Sequence, residues 1–384
     1  MKICFVLPSF HPIVGGTEKQ ALSLAKSLKN TGVSVIVATR QSPGLRKEEI
    51  IEGIPVYRLF SPGKGRFASL FFSLSLFLFL ISRRADYDII HCHLISTLAA
   101  VSAFAAKLLN KRLIVKLGGR GSIGDVNHIT KQALAGNFKL NLIKRKASFF
   151  VCPTADIAGE LAEAGVEREK IRTIYNGVDT GVYRPAGGSS QIEALKNKLF
   201  KGSGKFICFT GRLSPEKNPA LLMEAFIPLA AKFKEYNLAF VGAGPLENTL
   251  RKTAKENNLD ERILFTGSTD NVAEYLQACE IFAITSLSEG LPNAMLEAMA
   301  CGLPVVASNV GGCAEFISDM VNGVLFESKN ASQLSAKLEM LIKDPALADR
   351  ISENARGYVA KTCGLSSVTG EYIKLYASAA AARL

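Results

Sequence analysis

The sequence predicts an α/β protein of two doubly wound, Rossmann-like domains facing across a cleft, and three observations carry that expectation. The chain has 384 residues, more than one core usually holds. Short apolar runs alternate with amphipathic stretches in both halves, the pattern of parallel strands joined by right-handed helical crossovers. The alternation breaks once, at a stretch holding Pro185, Gly187, Gly188, Gly202 and Gly204, and then restarts. The division that follows is a domain over 1–182, a linker over 183–204, a domain over 205–364, and a helix within 365–384 that crosses back to the first domain.

The strand-like runs of the first half are 2–7, 33–39, 88–92, 112–117 and 148–152. Run 2–7 reads as a buried strand rather than a secretory leader. Gly15 and Gly16 follow it. Thr17 and Gln20 then make a capping box for a helix whose Ala21, Leu22, Leu24, Ala25 and Leu28 recur at three- and four-residue spacing. Segment 67–81 is nearly all apolar, with Lys64, Arg66, Arg83 and Arg84 at its flanks. Its fifteen residues fall short of the roughly 20 that span a bilayer. It fits either a helix buried on a parallel sheet or a helix with one face in a bilayer. In the second half the runs are 206–210, 238–241, 263–266, 281–284 and 304–307, each followed by a glycine-bearing turn and a helix.

Composition narrows the function classes. Eight cysteines are scattered through apolar runs without a C-x-x-C pair, as in a reduced cytoplasmic protein. The net charge of +12 is uneven: residues 1–180 hold 25 Lys/Arg against 13 Asp/Glu, and the remainder holds 21 of each. A basic first domain suits an anionic membrane surface or a phosphorylated lipid. No nucleic-acid module is visible and Trp is absent, so nucleic acid is disfavoured as a partner. Gly15-Gly16 is not G-x-G-x-x-G, no acidic residue follows at the expected distance, and Walker A is missing, which disfavours a dinucleotide oxidoreductase.

The densest chemistry lies at Glu289-Gly290-Leu291-Pro292-Asn293, with Glu297 beyond it. Pro292 sets the start of a helix over 293–300. Glu289 therefore precedes a helix N-terminus and Glu297 lies about two turns inside. The free N–H groups of that N-terminus suit phosphates, and a carboxylate on either side suits hydroxyls. Nucleotide-sugars have this layout. Gly211-Arg212-Leu213-Ser214-Pro215-Glu216-Lys217-Asn218 opens the second domain at a strand-to-helix turn, where Arg212 and Lys217 can neutralise a leaving diphosphate. Gly242-Ala243-Gly244-Pro245 and Gly311-Gly312 are turns expected on the same sheet edge. Asp86 and Asp88 form a D-x-D pair, but at the amino end of a strand, so they read as strand-entry polar residues. His91 and His93 point the same way along that strand and find no further ligands for a metal. His93, at the carboxyl end, is the functional candidate and His91 the structural one.

Taken in order, Gly15-Gly16, Asp88 to His93, Tyr175-Asn176-Gly177-Val178-Asp179, Gly211 to Lys217, Val241 to Pro245, Glu289 to Glu297, and Gly311-Gly312 with Glu315 cover nearly the whole chain. The chain thereby resembles the GT-B, family-4 type (group 1) retaining glycosyltransferases. The resemblance implies that Arg212 and Lys217 bind the donor diphosphate, Glu297 the ribose hydroxyls and Glu289 the sugar hydroxyls. Gly16 would approach the phosphate. The backbone of Gly15, Gly211, Gly242, Gly290, Leu291, Pro292 and Asn293 would complete the donor site. There is one departure. Many members carry a His at the end of the strand matching 112–117, beside the reacting carbon; here Leu117-Gly118-Gly119-Arg120-Gly121-Ser122 is followed by Asp125. Asp125, His93 and the backbone amides of that Gly-rich loop are the candidates for its role.

The resemblance thus implies a hexosyltransferase needing neither metal nor cofactor. It would move sugar from a nucleotide-sugar, expected to be UDP-linked, to a glycan or lipid-linked acceptor in surface polysaccharide or lipopolysaccharide assembly. The expected location is cytoplasmic, peripheral at the inner face of the plasma membrane. A GT-B epimerase and a non-catalytic nucleotide-sugar-binding protein are the alternatives; intact Arg212, Lys217, Glu289 and Glu297 argue against the second.

Overall fold

The computed structural model describes residues 1–13, 15–63, 65–119, 136–200 and 204–381, with only the backbone at Arg66. The chain forms two compact units. One consists of Met1–Gly177 with the C-terminal helix Leu365–Ala381, the other of Val178–Gly364.

The first unit is built on β1 (Lys2–Val6), β2 (Ser34–Arg40), β3 (Glu48–Ile51), β4 (Ile54–Leu59), β5 (Ile89–His93), β6 (Arg112–Lys116), β7 (Phe149–Cys152) and β8 (Ile171–Thr173). Their order across the sheet is β3-β4-β2-β1-β5-β6-β7-β8, and only β3 runs antiparallel to its neighbour. Central β1 pairs Phe5 with Val37 of β2 on one side and His91 of β5 on the other. It is apolar along its length because helices cover both sheet faces. On one face lie the helices Gly65–Ser82, Thr97–Leu109 and Gly136–Lys146, through Phe72, Leu76, Leu80, Ala99, Ala103 and Ile143. On the other lie Gly16–Asn30 and Leu365–Ala381, through Leu24, Leu28, Tyr372 and Tyr376. The chain winds outward from β1 in both directions, so β1 and β5 flank a topological switch point, where open α/β sheets bind ligands.

The β3–β4 hairpin was not among the expected strands. Its turn is Glu52-Gly53, both at positive φ (51° and 76°), the conformation usually announced by Asn-Gly or Asp-Gly. The apolar segment forms a helix that is buried on one side only. The Gly65–Ser82 helix buries Phe72, Leu76 and Leu80 completely, and leaves Phe67, Leu70, Leu74 and Leu78 exposed. No helix among the described residues is long and apolar enough to cross a membrane.

The second unit carries β9 (Lys205–Thr210), β10 (Tyr236–Val241), β11 (Ile263–Phe265), β12 (Ile281–Ile284), β13 (Val305–Ser308) and β14 (Val324–Phe326) in a wholly parallel sheet, ordered β11-β10-β9-β12-β13-β14. Its switch point lies between β9 and β12. The stretch 183–204, expected as a linker, falls inside this unit and holds the helix Ser189–Phe200. Packing explains its place: Phe200 stacks on Phe206 with ring centroids 3.7 Å apart, and the Lys196 ammonium reaches Glu280 at 2.5 Å. All eight cysteines are buried and none is joined in a disulfide, which fits the reduced thiols expected.

Candidate active site

The loops leaving β9 and β12 meet at the second unit's switch point. Leu287 N–H donates to Glu216 O (2.9 Å) and the Thr285 hydroxyl to Lys217 O (3.0 Å), so backbone holds the two loops together. This brings Lys217 Nζ to 2.5 Å from Glu289 Oε1, which also accepts from the Ser286 hydroxyl at 2.6 Å. The Glu289 side chain is only 10% exposed and the Lys217 side chain 33%. The Lys217 and Ser286 bonds both fall on Oε1. Arg212 is exposed on the same loop, and its guanidinium makes no ion pair among the described residues. The neighbouring Glu216 carboxyl is held below the usual range, first by the Ser214 hydroxyl at 2.7 Å, with Arg212 and Lys217 adding to the effect.

Close packing of glycine turns shapes this edge. A Cβ on Gly312 would overlap the carbonyl oxygen of Gly290, and one on Gly242 would overlap that of Gly211. Gly312 N–H reaches Glu289 O at 3.3 Å, so the Gly311-Gly312 turn buttresses the Glu289 loop from β13. The Ser308 hydroxyl adds a bond to Ser286 O at 2.7 Å. The Asn293–Ala300 helix starts after Pro292, as its sequence predicts, and carries Glu297 on its buried side. The Tyr183 hydroxyl hydrogen-bonds the Glu297 carboxylate; burial first, then that carboxylate, pushes the phenol well above its ordinary range. Arg212, Lys217, Glu289 and the start of the 293–300 helix therefore gather around one switch point, with Glu297 behind them.

The first unit's switch point is different. Gly15 caps the Gly16–Asn30 helix, and the Glu18 carboxylate lies where a Cβ on Gly15 would stand, bonded to the Ser9 hydroxyl. His93 does not reach this edge as expected. Its ring is 1% exposed and stacks on His91 with centroids 4.5 Å apart, and both of its nitrogens lack a hydrogen bond among the described residues. The reason is strand alternation: His91 and His93 share the sheet face that the Leu365–Ala381 helix covers, where His91 Nδ1 meets the Tyr376 hydroxyl at 2.7 Å. Burial, then His91 and Lys116, pushes the His93 imidazole well below its usual range; burial and Lys116 push His91 down to about 3. Both rings are neutral core groups. Asp125 lies outside the described residues. Asp88 accepts from Lys2 N–H at 2.9 Å and Asp86 pairs with Arg83 at 3.3 Å, the strand-entry role expected of them.

Three participants escaped sequence reading. Ser286 stands three residues before Glu289, and no pattern in the sequence marks its hydroxyl as that carboxylate's hydrogen-bond donor. Tyr183 lay in the supposed linker, far from Glu297 in sequence. Lys116 ends β6 inside the protein, 3.0 Å from Asn176 Oδ1, and burial lowers its ammonium to about 8. Its place at the carboxyl end of a central strand was the only available signal.

Comparison with known proteins agrees with this geometry. Residues 14–182 match the family model for Glycosyltransferase Family 4, and residues 190–358 that for Glycosyl transferases group 1. An N-acetyl-alpha-D-glucosaminyl L-malate synthase of Bacillus anthracis is 25% identical over 95% of this chain and 94% of its own. A UDP-Gal:alpha-D-GlcNAc-diphosphoundecaprenol alpha-1,3-galactosyltransferase of Escherichia coli is 26% identical over 91% and 90%. Among solved structures, HepE of Anabaena in complex with UDP-glucose superposes with a TM-score of 0.81 at 23% identity, covering 98% of this chain and 100% of that one. Two models of one enzyme class fill the two halves of this sequence, and the sheets beneath them have the matching GT-B architecture; the chain belongs to the group 1, family-4 glycosyltransferases.

Proposed function

We propose that this glycosyltransferase is a retaining enzyme that transfers a hexose from a UDP-sugar to a lipid-linked, diphosphate-bearing glycan, without a metal ion. The observation that carries the reading is the meeting of Lys217, Glu289 and Arg212 at the second unit's switch point, beside the N-terminus of the Asn293–Ala300 helix. Lys217 and Arg212 supply positive charge where the diphosphate leaves, and the helix amides add to it. Glu289, held through Oε1, presents Oε2 to a sugar hydroxyl. Glu297 takes the ribose hydroxyls, with Tyr183 fixing its rotamer. The UDP and UDP-glucose bound to HepE and the diphosphoundecaprenol named for the Escherichia coli relative support the donor and acceptor classes.

The reaction needs no protein nucleophile. The acceptor oxygen bonds to the anomeric carbon on the face from which UDP departs, the C1–O bond to the diphosphate breaks, and the acceptor proton passes to the leaving diphosphate oxygen. The protein contributes positioning and charge stabilisation. Turnover should persist in excess EDTA, with the product keeping the anomeric configuration of the donor by NMR. Complete loss in EDTA that Mn²⁺ or Mg²⁺ restores would sink the metal-free mechanism. Sugar released without any acceptor would place the protein with the epimerases.

A further inference from the structure

The first unit carries a surface that donor chemistry does not use. The helices Gly65–Ser82, Thr97–Leu109 and Gly136–Lys146 lie side by side on one face of the sheet, with Thr97–Leu109 in the middle. The first of them is apolar all round, which ordinarily marks a helix buried on every side. Here one side is buried and the other bare. Phe67, Leu70, Leu74 and Leu78 are 53–77% exposed in a single stripe at three- and four-residue spacing. Phe104 and Leu108 continue the bare surface on the middle helix, with Phe104 packed against Phe77 at 5.6 Å, and Phe138 extends it onto the third. A contiguous apolar patch of this kind marks an interaction site.

Charge says what covers it. None of the three helices contains an Asp or Glu. Lys107, Arg145 and Lys146 are exposed on them, and Arg84 is exposed just past the end of the first; none of these four has an ion pair among the described residues. A second copy docking through this face would set these cations against their own images, with no carboxylate on the three helices to answer them. An anionic lipid leaflet answers both features, taking the apolar stripe into its acyl boundary and the cations at its headgroups.

We propose that these three helices form a docking surface for an anionic bilayer, with the Phe67–Leu70–Leu74–Leu78 stripe lying in the plane of the interface and Arg84, Lys107, Arg145 and Lys146 contacting lipid phosphates. This builds on the lipid-linked acceptor proposed above, because it holds the first unit at the surface where such an acceptor resides. The two are tested by separate readouts.

The full-length protein is floated with vesicles of phosphatidylcholine alone or of phosphatidylcholine with phosphatidylglycerol. Wild type should float with the anionic vesicles and stay in the dense fraction with the neutral ones. The triple variant Leu70→Gln, Leu74→Gln, Leu78→Gln should reduce the bound fraction by about tenfold. Arg84→Glu with Lys146→Glu, which leaves the apolar stripe intact, should remove the anionic preference. In both variants UDP affinity by calorimetry and the melting temperature should stay at wild-type values. Equal flotation of the triple variant, or a wild type that ignores anionic vesicles at low salt, overturns the proposal. So does a wild-type dimer by light scattering that the triple variant reduces to a monomer, since the face would then belong to a second copy. Loss of UDP binding with intact flotation counts against the function proposed above and leaves the docking surface standing.

Discussion

At the β9/β12 switch point the cations keep contact with solvent, Arg212 exposed and Lys217 half-buried, whereas at β1/β5 Lys116, His91 and His93 are sealed inside. Both places have the same topology: a central parallel strand, a neighbour of reversed winding, and a glycine-bearing loop after the first strand. The second unit fills its switch point with Lys217, Glu289 and Arg212. The first puts two neutral stacked histidines and a buried lysine beside its own. Topology therefore says where a ligand can bind, and the side chains say which kind. A site for a diphosphate keeps its cations hydrated and exchangeable, because a cation buried beforehand has already lost the solvation that the anion must replace. The buried polar groups of the first unit serve packing.

The most forceful way to break this comparison is at Lys217. If Lys217 stabilises the leaving diphosphate as proposed, Lys217→Ala should cost roughly 10²–10³ in turnover, with little change in melting temperature. Steady-state kinetics and a thermal melt on the same sample check both halves. Unchanged turnover would mean that the second switch point is not where the diphosphate is stabilised. A smaller effect sharpens the structural side. Gly312→Ala places a methyl group against the Gly290 carbonyl and should destabilise the second unit by about 1–3 kcal/mol. Calorimetry should show that unit melting earlier, with weakened UDP binding from a displaced Glu289 loop.

The smallest effect concerns the first unit and depends on pH. His91 is pushed down to about 3 and His93 also lies well below its usual range, so neither gains a proton in the folded state until the medium is strongly acidic. The unfolded imidazoles gain theirs near pH 6.5. Below that point the unfolded chain binds more protons, and stability falls as pH falls, by about 1.4 kcal/mol per pH unit for each histidine. His93→Phe should flatten part of that slope in urea titrations at pH 5 and 7, and leave turnover at pH 7.5 unchanged. Lost turnover in a folded His93→Phe protein would show that the first switch point takes part in chemistry, and the contrast would collapse.

What could be read from the sequence follows from the range of the interactions involved. Ten of the strands, the Pro292-started helix and the loop carrying Arg212 and Lys217 are written in a few consecutive residues each and stand where expected, whereas the parallel strands β4, β8 and β14 were not among the expected runs. The Glu52-Gly53 hairpin was hidden because Glu rarely takes the positive φ that its turn demands. The fate of His93 was hidden for another reason. Alternation along β5 showed that it shares a face with His91, yet the cover over that face comes from a helix near the other end of the chain, with Tyr376 bonded to His91 across 285 positions. The Tyr183–Glu297 bond is illegible on the same grounds. In the candidate site the residue types were visible, and the partners that orient them were not.

The Leu365–Ala381 helix has a consequence for how the protein is made. The Gly16–Asn30 helix covers part of that face of the first sheet early, but the rest stays open until the Leu365–Ala381 helix leaves the ribosome, through the synthesis of the entire second unit. That unit, Val178–Gly364, is continuous in sequence and can close as soon as it emerges. Chain order and folding order are thus inverted: the half begun first is finished last, and the open face in between is a natural client surface for chaperones.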